Sequence, residues 1–482
     1  MVYLLHMLNV EIMVQYTSLI AYWKLRLNTI NNDIKGGDRV HTTSTICVCE
    51  MWYMDIYMEK IQTLTKNTSL EQAGVKKDNT ALLAGADGIR AIACLSVIFH
   101  HLAQKLAINF QVRPVQELQG YFLLGNSGVS VFFVLSGFLL SYPFWKQYLT
   151  AGVFPGMKQY AVRRAARILP GYYVSFLICT LVILLFNIPS EFTLVRAITG
   201  LTFTAGFHYV TFFPNEINSP FWSISFEVFC YFLMPAFMYV LYKLSGKNRS
   251  FIKALFYWVG VFVLVIGLNQ LVHIFFTPDN IRRGWDFGSI GGAKYWMPNY
   301  NPVGFFGHFS VGIIAAGISA KLIIGSDRIK LLKKIGVFDF IGVLCFLGSI
   351  ALLWMMRGLP EFSFSLQNQP YYFPAYALLI GGTLAVTPQS KWFGKILDNR
   401  FFRFTAKVSF GLYIWHYFIM FLVSALWVKA YKNYMGIADI KQWALICFAV
   451  LVASYVVSAL SFKFIEKPVL DRVHKRSRKN GQ

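Results

Sequence analysis

Tyr121-Phe-Leu-Leu-Gly-Asn-Ser-Gly128-Val-Ser-Val-Phe-Phe-Val-Leu-Ser136-Gly137-Phe-Leu-Leu-Ser-Tyr-Pro143 runs through 23 residues without one Lys, Arg, Asp or Glu. At 1.5 Å per helical residue it reaches about 34 Å, enough for the roughly 30 Å of hydrocarbon in a bilayer. Comparable stretches recur at 88–107, 168–188, 221–243, 253–276, 303–324, 336–356, 372–388, 409–429 and 442–464. With 121–143 they make ten expected spans. The fold class that follows is all-α, a polytopic membrane protein with about ten transmembrane helices. A shorter candidate at 195–213 holds Thr199, Thr202, Thr204 and His208, and reads as an interfacial or re-entrant segment.

Composition agrees. Of 482 residues 56% are apolar and 17% aromatic, and Trp145, Tyr172, Trp222, Tyr242, Trp392 and Trp427 sit near the ends of apolar runs, where amphipathic rings anchor at water interfaces. A net charge of +23 could serve nucleic acid, but the Lys and Arg residues cluster between spans instead of lining one polar face, which argues against that partner and for a lipid bilayer. Basic residues concentrate in alternate loops, for instance Lys146, Lys158, Arg163, Arg164 and Arg167, then Lys243, Lys247, Arg249 and Lys253. The opposite loops mix Arg113, Arg196, Arg282, Arg283, Lys294, Arg357 and Lys432 with Glu117, Glu191, Glu216, Asp279, Asp286 and Glu361. By the positive-inside rule both termini are expected on the cytoplasmic side. Seven Cys lie mostly within apolar runs and show no metal-ligand spacing, so neither a disulfide framework nor a metal site is expected.

The sequence divides into a poorly patterned extension at 1–80, a membrane domain at 81–470 and a basic tail at 471–482. The first segment, broken by His6, Asn9 and Glu11, lacks the form of a signal peptide. Our hypothesis from its irregular composition is that the natural start is Met51, Met54 or Met58; finding residue 1 by mass spectrometry of the native N-terminus overturns it.

Ionisable groups within apolar spans are costly and mark where function is to be sought. In the first span, Arg90 and His101 lie 11 residues apart, 20° beyond three full turns, so they share one helix face about 16 Å apart along the axis. His100 points about 80° away from Arg90. Interfacial snorkelling is the plain alternative for all three. Glu227, about seven residues into an apolar helix, needs a partner; a structural pair and a catalytic role are both open. Ser409, Tyr413 and His416 form one polar stripe, in which His416 is either a hydrogen-bonded core residue or a ligand. Arg163, Arg164 and Arg167 at the start of a span are an anion clamp or a positive-inside anchor. The small residues of Gly128–Gly137 suit close helix packing or the passage of a thin cofactor tail.

Taken in order, these stretches resemble the acyltransferase family 3 of membrane O-acyltransferases. The resemblance rests on Asp87-Gly-Ile-Arg90-Ala-Ile-Ala with His101 following, Gly128-Val-Ser-Val-Phe-Phe-Val-Leu-Ser136-Gly137, Arg163-Arg-Ala-Ala-Arg167-Ile-Leu-Pro170, Trp222-Ser-Ile-Ser-Phe-Glu227, Ser409-Phe-Gly-Leu-Tyr413-Ile-Trp-His416 and Phe464-Ile-Glu-Lys-Pro468. It covers about residues 85–470. It implies about ten spans and transfer of an acyl group, usually acetyl, from acyl-coenzyme A to a hydroxyl of a carbohydrate or lipid-linked glycan, in a bacterial inner membrane. It also implies His101 as the principal catalytic group, assisted by Glu227 and His416. Arg90, Arg163, Arg164 and Arg167 would hold the coenzyme's phosphates, with His100, Ser136, Trp222 and Tyr413 in support. Val228 stands where many relatives have a second acidic residue, and His100 duplicates the imidazole. Some relatives carry a hydrolase-like C-terminal domain; here one membrane unit is expected to complete the transfer. No Ser or Cys has an activating neighbour in sequence, so direct attack on the thioester is expected, not an acyl-enzyme. The rival class is a proton-coupled transporter or flippase, but no internal repeat or matched pair of broken helices is evident.

Overall fold

A computed structural model describes residues 83–276, 281–357, 369–426 and 436–479. The expectations for residues 1–80, and for Asp279, Glu361 and Lys432, lie outside these. Among the described residues the chain is helical, with a single isolated bridge between Leu106 and Ile437 as its only extended pairing. In chain order the helices are α1 (Ala86–Ala103), α2 (Arg113–Leu123), α3 (Gly128–Leu149), α4 (Met157–Leu185), α5 (Thr193–Leu201), α6 (Trp222–Ser245), α7 (Phe251–Phe276) and α8 (Gly288–Trp296). There follow α9 (Pro302–Ile324), α10 (Asp327–Lys334), α11 (Val337–Met356), α12 (Ala375–Val386), α13 (Phe393–Leu397), α14 (Arg400–Leu426), α15 (Ile440–Ser461) and α16 (Lys467–Lys479). A π-helical turn, Phe462–Glu466, joins the last two.

Among the described residues nine helical stretches are long and apolar enough to cross a bilayer, which makes this an integral membrane protein. The burial of those stretches orders the bundle. In α9 83% of the apolar window is buried, against 22% in α7 and in α11, so α9 is the central helix and the other two face lipid. On α7 and α11 the exposed residues are large and apolar, as with Phe256, Val263, Phe340 and Trp354. That is the pattern of a surface solvated by hydrocarbon.

The central contact is between α3 and α9. A Cβ on Gly137 would fall on the carbonyl of Phe309, and one on Gly312 on the carbonyl of Val134. Without hydrophobic drive between helices in lipid, such backbone approach supplies the packing energy. Of the two sequence readings of Gly128–Gly137, helix packing is therefore the one realised at Gly137, and Gly128 likewise sits against the Ala93 carbonyl of α1.

The expected span at 372–388 differs from the other nine. It folds as the 12-residue α12, about 18 Å long and short of the bilayer core. Pro374 stands just before its first residue, and Thr387-Pro388 turns the chain at its end. Its path still runs from one end of the bundle to the other. Tyr371, ahead of it, lies 5.6 Å from Tyr300 at the start of α9, whereas Gln389, after it, accepts a hydrogen bond from Lys333 of α10. The non-helical residues that complete the passage, Gln369 and Tyr371 to Phe373, are buried, and irregular backbone at membrane depth is tolerated only inside protein. With α12 counted, α1 and α14 become first and ninth crossings and should run in the same direction. They do: the Cys94 thiol meets the Ser409 carbonyl at 3.5 Å, and seven residues on in both helices His101 meets His416.

The segment at 195–213 does not cross, since α5 has nine residues and a single turn follows at Ala205–Phe207. Arg196 folds inward there, donating to the Phe213 carbonyl at 2.8 Å and to Glu216 at 2.5 Å.

Candidate active site

Five helices surround a cavity of about 110 Å³. Arg90 enters from α1, Ser136 from α3, Arg164 and Arg167 from α4, Glu227 and Tyr231 from α6, and Ser409 and Tyr413 from α14. Arg164 and Arg167 are three residues apart and so share a face of α4. Arg163 is exposed and absent from the lining, so the expected cluster of three divides into two inward guanidinia and one at the surface.

Glu227 has the partners its burial demands. Its Oε1 accepts from the Ser136 hydroxyl at 2.7 Å and from the Tyr231 phenol, one turn on, at 2.5 Å. Both donors are neutral, and the side chain shares the cavity with three guanidinia, those of Arg90, Arg164 and Arg167. Tyr413 bounds the same cavity. Its hydroxyl hydrogen-bonds Ser223 at 2.6 Å and lies 3.3 Å from the Pro220 carbonyl, and its ring meets Phe132 edge to face.

Beyond Tyr413 lies a group of imidazoles. The ring of His416 is 6.1 Å from that of Tyr413 and stacks on His101 with centroids 5.3 Å apart at 28°. Nδ1 of His416 lies 3.0 and 2.8 Å from the Leu412 and Tyr413 carbonyls. Carbonyls only accept, so Nδ1 carries a proton, and in the neutral ring Nε2 keeps its lone pair; that Nε2 is buried and has no hydrogen-bond partner. By the same reasoning His101 Nδ1 donates to Gln104 Oε1 at 3.1 Å. His100 turns instead to the Leu123 carbonyl at 2.7 Å. Its ring is 5.0 Å from that of His101, but it is His101 that faces α14, against both His416 and Tyr417. Neither His101 nor His416 lines the cavity; Tyr413 stands between the cavity and the imidazoles.

The end of α1 that presents His101 is firmly held. Gln119 donates to the carbonyls of Ala103 and Leu106, both at 2.9 Å, and the Trp443 indole donates to that of Leu102 at 2.9 Å. The carbonyls of Leu102 and Ala103 belong to the last turn of α1, where i→i+4 partners run out, and that of Leu106 lies just past it. Lys105, just past this end, is pushed below the ordinary lysine range by burial. Trp222 is buried among Phe212, Phe226, Trp296, Tyr300 and Phe305, beside the site and not lining it.

The guanidinia around the cavity and the paired imidazoles further along α1 and α14 all fall within residues 83–459, which match a family profile described as an acyltransferase domain. The chain belongs to the acyltransferase 3 family. It is similar to O-acetyltransferase OatA of Staphylococcus aureus, 27% identical over 401 residues in strain NCTC 8325 / PS 47 and equally in strain COL. It is 26% identical over 395 residues to another protein of strain COL that carries an O-acetyltransferase name. These alignments take in 80% of this chain and 57% of each relative, so the chain spans little more than half the length of the curated relatives it matches. No solved structure matches it.

Within this acyltransferase 3 chain, reading the sequence missed three participants. Tyr231 had a signal, since it lies four residues from a carboxylate in need of a donor, and Gln104 lies three residues from His101. Glu466 did not: it sits in the last stretch that resembles the family, 299 residues from Arg167, to which it forms an ion pair at 3.5 Å. Nothing local in the sequence joins those two.

Proposed function

We propose that the protein is a membrane O-acyltransferase that takes an acyl group, acetyl, from acyl-coenzyme A and places it on a hydroxyl of a carbohydrate or lipid-linked glycan. It would work in a bacterial inner membrane, with the start of α1 and both termini on the cytoplasmic side. The observation that carries this reading is the alignment of α1 and α14. The two helices run side by side, with Arg90 and Ser409 at the cavity and His101 and His416 stacked further along. Family membership supports acyl transfer over the transport alternative, and the O-acetyltransferase names of the relatives support acetyl and oxygen.

In this reading the donor's phosphates rest on Arg90, Arg164 and Arg167, with Arg163 at the exposed rim. Planar forks suit phosphate oxygens. The pantetheine arm passes Tyr413 and brings the thioester towards the imidazoles, over the roughly 16 Å from Arg90 to His101. His101, its Nδ1–H held by Gln104, takes the acceptor's hydroxyl proton on Nε2 as the oxygen attacks the thioester carbonyl. The carbon–sulfur bond breaks, the ester forms, and the departing thiolate takes up the proton. His416 stacks behind His101 and offers a second unprotonated Nε2, while Glu227 balances the guanidinia when the donor is absent.

Donor binding can be tested without knowing the acceptor. Acetyl-coenzyme A at about 100 times its Kd should stabilise the detergent-purified protein by about 2.7 kcal/mol, seen as a rise in Tm. Arg90→Ala should abolish most of that rise. An unmoved Tm with acetyl-coenzyme A and with longer acyl donors overturns the reading.

A further inference from the structure

Glu466 stands at the end of the π-helical turn, with its side chain 1% exposed and 3.5 Å from Nη1 of Arg167. A buried carboxylate in a membrane protein is expensive and needs a reason to be kept. The turn itself brings it inward. The buried stripe of α15 runs Cys447, Val450, Ser454, Ser458, Ser461, in steps of three and four. Continued at that period it would next bury Ile465. The i→i+5 turn inserts one extra residue and brings Glu466 to the buried face instead, leaving Ile465 half-buried.

The pair is loose in a particular way. Neither oxygen of Glu466 accepts a hydrogen bond, although both are buried, so the attachment to Arg167 is by charge and not by a locked fork. Arg167 lines the cavity and its side chain keeps 25% of its exposure. A bidentate pair would consume the N–H groups a phosphate needs. A charge contact on one side aims the guanidinium and leaves those donors available. Arg90 and Arg164 share the cavity, and each would drive Arg167 away if nothing opposed them.

We infer that Glu466 is the positioning residue for Arg167, holding its guanidinium at the cavity so that a phosphate-bearing donor meets it already oriented. The inference rests on the donor reading above. It assigns Glu466 no contact with the donor and no part in the proton transfer.

The test is a double-mutant cycle on the full-length protein, with the Kd of acetyl-coenzyme A and the split between KM and kcat as readouts. Glu466→Gln keeps the shape and removes the charge. It should weaken donor binding about tenfold, a change of about 1.4 kcal/mol, and raise KM while kcat at saturation stays within about twofold. In the Arg167→Gln background the same change should do nothing more. A tenfold loss that persists without Arg167, or a fall in kcat at unchanged KM, overturns the inference. Should Glu466→Gln not fold, Glu466→Asp keeps the charge and shortens its reach by one methylene. Weaker binding at unchanged kcat then upholds the positioning role, and unchanged binding removes it. An unmodified protein that binds no acyl-coenzyme A sinks the donor reading and this one with it, whereas an additive cycle in a protein that does bind sinks only this one.

Discussion

His101→Ala is expected to lower kcat for acyl transfer by about 10³-fold, the scale of losing a positioned general base, while acetyl-coenzyme A still raises the Tm. The separation is possible because the guanidinia of the cavity and the imidazoles lie on opposite sides of Tyr413. His416→Phe is the informative companion, since it keeps a ring for His101 to stack on and removes the unpartnered Nε2. A fall of about 10²-fold in kcat would mark that nitrogen as part of the proton path. Full activity in His416→Phe would reduce His416 to a packing ring. His100→Ala should cost far less than His101→Ala, because His100 is turned to the Leu123 carbonyl. If the two losses were equal, the assignment of the base to His101 would fall. Radiolabelled acetyl-coenzyme A, followed to hydrolysis or transfer, measures all three variants.

The second large effect is on stability. Gly312→Val should leave little or no folded protein, because its side chain would meet the Val134 carbonyl and the Phe138 amide across the α3–α9 contact. Overpacking in an ordinary core costs about 1–3 kcal/mol. Here the obstacle is backbone, which cannot rotate aside, so the two central helices must separate and the cost should exceed that range. Gly260→Ala in α7 is the control. Its Cβ meets nothing within 4 Å, and removing a mid-helix glycine is neutral or favourable by up to about 1 kcal/mol. Size-exclusion profiles and melting curves of the two variants decide it: similar behaviour would mean that α3 and α9 do not hold the bundle together.

The contrast between those glycines shows what a sequence can and cannot convey here. The apolar runs were legible because each crossing must bury its own backbone and is long, so length and charge alone marked nine of them. The tenth was legible as a hydrophobic stretch but not as a broken one, since the burial of Gln369 and Tyr371–Phe373 depends on helices elsewhere in the chain. At the site, Arg90 and His101 could be put on one face by counting turns. That His101 and not His100 meets His416 required the parallel packing of α1 and α14, a tertiary fact. Arg163 was grouped with Arg164 and Arg167 because adjacency in sequence says nothing of which way α4 is turned. Glu466 was hidden most deeply, since a one-residue π insertion changes which side chain faces inward without any change in composition.

The shortness of α12 bears on how the protein is made. A 12-residue helix preceded by irregular backbone offers the insertion machinery too little apolar length to be recognised by itself. Its N-terminal approach also exposes amide groups that hydrocarbon cannot satisfy. It packs against α9 and α11, which precede it in the chain and flank it in the bundle through Gly381 on Val311 and Gly382 on Cys345. Biogenesis of the C-terminal half is therefore expected to be cooperative. In the proposed orientation Lys391, Lys395, Arg400 and Arg403 would hold the far end of the passage on the side of synthesis, and α14, with its histidine, would enter the bilayer in the right direction only after α12 has taken its place.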